Sequence, residues 1–161
     1  MIRYQLSMFV QEAEALEIEA WRRQLDAVQF ALISAHVTLV REDELQNLDR
    51  LWLHVKTNKL EPLNLVFGAA QRSFEHGVLL PCIDGQSAFH QLRQSILGDG
   101  ARDMHAHMTL AHPRNPRSSA NTDDILQRIP SPLSFRFARI SLIQQIDHAA
   151  WQILDQVPSQ K

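Results

Sequence analysis

The chain carries one five-residue pattern twice, Ala35-His36-Val37-Thr38-Leu39 and Ala106-His107-Met108-Thr109-Leu110, with the two histidines 71 positions apart. In this composition a single His-x-Thr-Leu arises by chance about 0.03 times, and a pair on the order of a thousandfold less than once. The segment around each copy is short and rich in β-branched and apolar residues, which predicts a strand. In a strand, residues i and i+2 share a face. His36 and Thr38 therefore project together, with Val37 and Leu39 in the core behind them. His107 and Thr109 do the same, backed by Met108 and Leu110.

The surroundings of the two copies match in order. Ile2, Tyr4, Leu6 and Met8 alternate with polar residues, the period of a half-buried strand. From Glu12 to about Ala31 the period is helical, with Ile18, Trp21, Leu25 and Val28 on one stripe and Glu14, Glu17, Arg22 and Arg23 outside it. A second helix is expected from Glu42 to about Thr57. Strands follow at Leu63–Phe67 and Gly77–Pro81, then a helix from Ser87 to Leu97 that Gly98 stops. Beyond the second motif come a Pro-rich loop (Pro113 to Asn121), a short helix (Asp123 to Ile129), an irregular strand from Leu133 to Gln145, and a last strand around Trp151–Ile153 after a turn at Asp147-His148-Ala149. Strand, helix, His-x-Thr-Leu strand, helix thus describes residues 2–57 and again 78–129. This predicts an α+β fold of two lobes related by a pseudo-two-fold, with antiparallel sheets around a central cleft. Its 161 residues suffice for one such domain, 1–161, and are too few for two ordinary ones.

Composition narrows the function. A net charge of −2 argues against a protein that coats nucleic acid non-specifically. The single cysteine, Cys82, excludes an intrachain disulfide and a thiolate metal cage, and fits a reducing compartment. The N-terminal residues lack the pattern of a secretory signal, and no apolar stretch is long enough to suggest a membrane span. A cytoplasmic protein without membrane contact is expected; the sequence identifies no protein partner.

Two imidazoles and two hydroxyls converging on one cleft suit phosphoester cleavage. The incoming oxygen must lose a proton while the leaving oxygen, opposite it across phosphorus, gains one. Histidine performs both tasks near neutrality. The Thr38 and Thr109 hydroxyls can donate to the non-bridging oxygens where charge builds up. Imidazolium and hydroxyl donors supply the charge neutralisation, so neither metal nor cofactor is required. One histidine neutral and one protonated predict a bell-shaped pH dependence with both limbs near neutrality.

With these motifs the chain resembles the two-histidine (2H) phosphoesterases, the LigT-like or 2'-5' RNA ligase family, over most of its length. The resemblance implies a bilobal α+β fold and action on 2',3'-cyclic phosphates or 2'-5' linkages of nucleotides and RNA ends, hence RNA processing. It implies His36 and His107 as the acid/base pair, with Thr38 and Thr109 binding phosphate. Two departures stand out: Val40-Arg41-Glu42 replaces a Phe-Leu-Gly-type continuation, and His112-Pro113-Arg114 stands where a basic residue often follows the second motif.

Other residues have competing readings. Arg114 is a candidate phosphate ligand, as is Arg117, with Arg41 and Arg72 weaker. His105, His107 and His112 could form the ligand set of a metal-dependent hydrolase, the first alternative, although His105 reads better as a loop residue at the rim. The second alternative is a non-catalytic nucleotide- or RNA-binding module. Phe74 could stack on a base, but core packing is expected for it, as for Trp21 and Trp52. His54, His90 and His148 are expected to be surface or satisfied core residues.

Overall fold

In the computed structural model, which describes residues 1–159, the two motif strands are neighbours. They are β2 (His36–Val40) and β6 (His107–Ala111), the central pair of a nine-stranded antiparallel sheet. On one side lie β1 (Ile2–Phe9), β8 (Arg139–Ile146) and β9 (Gln152–Pro158). On the other lie β5 (Gly77–Asp84), β3 (Leu63–Phe67) and β7 (Leu133–Phe137), with the short β4 (Gln71–Ser73) also paired to β5. The halves exchange strands: β3 leaves the first half to pair with β5, and β8 returns to pair with β1. The irregular strand expected from Leu133 to Gln145 is thereby two strands, since β7 extends one wing of the sheet and β8 the other.

The duplication extends into the helices behind the sheet. In α1 (Glu12–Leu25) the buried residues are Ile18, Arg22 and Leu25; in α4 (Gln86–Leu97) they are Phe89, Arg93 and Ile96. Each lies 71 positions from its counterpart, the separation of the two histidines. The buried stripe of each helix therefore contains an arginine at its centre, where the sequence pattern placed Arg22 on the solvent face. Such burial is tolerable only when the guanidinium is hydrogen-bonded and its charge is paired.

Other boundaries moved for local reasons. The helix expected to run to Ala31 breaks at Asp26, whose non-helical backbone and side chain, accepting from the Gln29 amide, start α2 (Ala27–Leu32). The break rotates Val28 off the stripe and leaves it exposed. Glu42–Glu44 forms a single 3₁₀ turn, and α3 (Leu48–Thr57) begins afresh where the Asn47 side chain accepts from the Arg50 amide. The short helix after the Pro-rich loop is α5 (Asp123–Gln127). Trp52 is buried and Trp21 packs half-buried against the core, but Phe74 does not. It sits 84% exposed at the β4–β5 turn, where Phe74 and Glu75 both take positive φ. These left-handed residues belong to the three-residue turn Phe74–His76 between the paired Ser73 and Gly77, which leaves the ring outside the core.

Candidate active site

Register sets the site. Val37 pairs with Met108 across β2 and β6. One residue on either side, the antiparallel register places His36 opposite Thr109 and Thr38 opposite His107. Val37, Leu39, Met108 and Leu110 are wholly buried, while the two histidines and two threonines are half-buried on the other face. Directly opposed side chains in such a pair start about 4.5–5.5 Å apart and diagonal ones roughly 7–8 Å apart. The threonines form one diagonal and the histidines the other, about a local two-fold through the Val37–Met108 pair. An imidazole therefore stands at each end of the space for one tetrahedral group.

Both rings are held alike. His36 Nδ1 donates to the Ser34 carbonyl at 2.8 Å and His107 Nδ1 to the His105 carbonyl at 3.0 Å. In each, the carbonyl two residues back fixes the tautomer and leaves Nε2 for chemistry. The rings differ in setting. His36 packs against Phe9, ring centroids 5.7 Å apart. Although an edge of the ring reaches solvent, desolvation pushes its pKa down to about 4, helped by the charges of Arg22 and His107 and opposed by the Ser34 bond. At neutral pH His36 Nε2 carries a lone pair.

The buried arginines brace the two strands. Arg22 donates to the Thr109 carbonyl at 3.2 Å, the Ile33 carbonyl at 2.7 Å and Glu19 at 2.7 Å. Glu19 in turn accepts from the amide of Ala35, the residue before His36. In the other half Arg93 donates to the Leu39 carbonyl and pairs with buried Glu44 at 2.6 Å, while the Gln86 side chain accepts from the Ala106 amide at 2.9 Å. Each arginine thus binds the motif strand of the opposite half. Arg22→Met leaves the Glu19 carboxylate without its counter-charge and the Thr109 and Ile33 carbonyls without the guanidinium, and is expected to cost about 3–5 kcal/mol of stability. Urea unfolding at neutral pH measures this; a loss below about 1 kcal/mol would show that the guanidinium braces nothing.

The four motif residues line a cleft of about 550 Å³. Arg3, Arg41, Arg114, His112 and His148 also line it, and among the described residues no carboxylate does. In a chain of net charge −2, the lining of this cleft is cationic. The buried Asp26 anchors the loop behind the second motif, accepting from the His112 amide and the Asn115 side chain. His112 Nδ1 accepts from the Arg114 amide at 3.1 Å, and the Arg114 guanidinium lies 3.2 Å from Nε2 of the same ring, so the two side chains hold each other at the rim. Burial pushes the His112 pKa down, and the Arg114 charge adds to this.

Of the residues singled out from sequence, His36, Thr38, His107, Thr109, Arg114, Arg41 and His112 meet in this cleft. His105 is exposed in the loop before β6 and is not among the lining residues. Among the described residues, no three His, Cys, Asp or Glu side chains are grouped to hold a metal ion. Arg72 is spent on Asn121 and Asp123, and Arg117 on the Asn121 carbonyl, so both brace the loop. His54 bonds the Ser95 carbonyl and His90 lies beside Asp103. His148, in contrast, faces the cleft together with Arg3, Gln5, Gln145 and Trp151, none of which the motifs indicated. Their only signal was the alternation of β1, which puts Arg3 and Gln5 on the polar face shared with His36.

The sequence profile of the 2'-5' RNA ligase superfamily matches residues 10–149. No protein of curated function matches the chain by sequence. Among solved structures, E. coli LigT complexed with 3'-AMP superimposes with a TM-score of 0.68 at 18% identity, covering 99% of each chain. The apo form of E. coli LigT gives 0.67 at 18%, covering 100% of this chain and 99% of that one. A crystal structure described as a phosphoesterase gives 0.67 at 15%, covering 99% and 98%. At these identities the likeness establishes the α+β fold.

Proposed function

The chain belongs to the 2'-5' RNA ligase superfamily, and from that premise we propose that it opens 2',3'-cyclic phosphates, or cleaves 2'-5' linkages, of nucleotides or RNA ends. The observation that carries this reading is the β2–β6 register, with an imidazole at each end of one tetrahedral space and a threonine on each side. His36, held neutral by its desolvated setting, is the base in hydrolysis. Its Nε2 takes a proton from water as the water oxygen bonds to phosphorus. The bond from phosphorus to the ribose oxygen breaks on the opposite side, and His107 Nε2–H protonates that oxygen. Thr38 and Thr109 donate to the non-bridging oxygens, and Arg114 adds charge at the rim. In the ligating direction the two histidines exchange roles.

Support for a nucleotide substrate comes from relatives: structures of E. coli LigT are complexed with 3'-AMP, phosphate, ATP and NADP+. We place this reaction in RNA processing in the cytoplasm, performed by residues 1–161 as a single two-lobed domain; no helix among the described residues is long and apolar enough to cross a membrane.

The test is a screen of purified, chelator-treated protein against nucleoside 2',3'-cyclic phosphates, 2'-5' dinucleotides and ADP-ribose cyclic phosphate. Full turnover with chelator present is expected on at least one of them. Zinc at one equivalent whose removal abolishes turnover would favour the metal hydrolase using His105, His107 and His112. Nucleotide binding without turnover at high protein concentration would favour a binding module.

A further inference from the structure

A second groove opens beside His36. It has a volume of about 540 Å³ and is walled by Phe9, Leu16, Phe30, Trp151 and Ile153. Phe9 is the ring that packs on His36, and Ile33 and Trp151 line both this groove and the catalytic cleft. The two spaces are therefore adjacent, with these two side chains at their common border. Their chemistry is opposite: the cleft is lined by arginines without carboxylates, whereas the groove is lined by Glu12 and Glu19 without Lys or Arg. Leu16, Phe30 and Ile153 are all exposed along it.

Trp151 stands at the junction. Its backbone amide donates to the Leu32 carbonyl at 2.8 Å, which ties the turn before β9 to the end of α2. The Arg3 guanidinium lies over its ring, 5.4 Å from the centroid. The Arg3 side chain is itself oriented by Glu42 at 2.6 Å and Gln145 at 3.1 Å. A cation above one face orients the indole and leaves the rest of the ring to a ligand.

We infer that the base of the substrate lies in this groove, stacked on Trp151, while its phosphate sits between the histidines. The inference rests on the phosphoester reading and narrows it to nucleosides with a terminal cyclic phosphate. An apolar wall with the Glu12 carboxylate at its edge and no Lys or Arg disfavours a continuing phosphodiester backbone and suits an uncharged aromatic ring. A π-face satisfies the indole whatever the base, so discrimination among bases is weak.

The test is calorimetric binding of adenosine 2'-monophosphate and of the same phosphate on abasic ribose, to wild type, Trp151→Ala and Trp151→Phe. Loss of one stacking partner reduces affinity roughly fivefold to hundredfold. Wild type is expected to prefer the nucleotide by at least about tenfold, Trp151→Ala to bring that ratio near one, and Trp151→Phe to keep most of it. Should Trp151→Ala fail to fold, Phe30→Ala, in the exposed lining of the same groove, carries the same expectation. Equal affinity of wild type for both ligands, or a ratio that survives both alanine variants, overturns the inference and leaves the phosphoester reading standing. Failure of wild type to bind either ligand overturns both.

Discussion

Replacing His36 or His107 by alanine is expected to lower turnover of a cyclic phosphate by roughly a hundredfold to ten-thousandfold, the worth of a positioned acid or base. The expectation follows from the diagonal placement of the two rings. A concerted displacement at phosphorus needs a proton removed at one end and supplied at the other, and each Nε2 is at one end. Neither Nδ1 can substitute, because each is committed to the carbonyl two residues before it. The fold should survive both replacements, since the side chains behind the histidines carry the core and the imidazoles face the cleft. Circular dichroism and the urea midpoint check this beside the assay. Near-normal turnover in either variant would remove the paired mechanism.

Thr38→Val and Thr109→Val should each cost roughly a hundredfold or more in turnover, comparable to the loss of one oxyanion donor. Valine has nearly the shape of threonine and suits a strand at least as well, so the loss isolates the hydroxyl. The pH profile should keep its form, because no titrating group is removed. Because each threonine lies opposite the histidine of the other motif, the two losses should be similar. A variant with wild-type turnover would mean that the non-bridging oxygens take their donors elsewhere, Arg114 being the nearest alternative in the cleft.

How much of this was legible in the sequence depends on the length scale. The period of two along His36–Leu39 and His107–Leu110 is local, and it correctly sorted polar from buried side chains. The order of elements around each motif also revealed the duplication. The pairing of β2 with β6 is tertiary, and no local pattern states that Val37 meets Met108. Arg22 and Arg93 were hidden for another reason: charge normally marks the solvent face, and it takes the carbonyls of the opposite half together with the Glu19 and Glu44 carboxylates to make their burial tolerable. Arg3, His148 and Trp151 come from the first strand and the last turn, which β1–β8 pairing brings to the same rim. Phe74 shows the converse, an apolar residue carried outward by its turn. The expectation of two pH limbs near neutrality also changes. It assumed an imidazole in water, whereas His36 is packed against Phe9 and loses its proton near pH 4 in the free protein.

The most direct test of the account is the pH dependence of kcat/KM on a nucleoside 2',3'-cyclic phosphate for wild type, His36→Ala and His107→Ala. This ratio reports the ionisations of the free enzyme. The base must be neutral, so the rate rises with pH through the pKa of His36, and the acid limb should fall at about pH 4. His36→Ala should lose this acid limb, whereas His107→Ala, which leaves the base in place, should keep it, both at greatly reduced rate. A profile of wild-type height and shape in either variant would contradict the account.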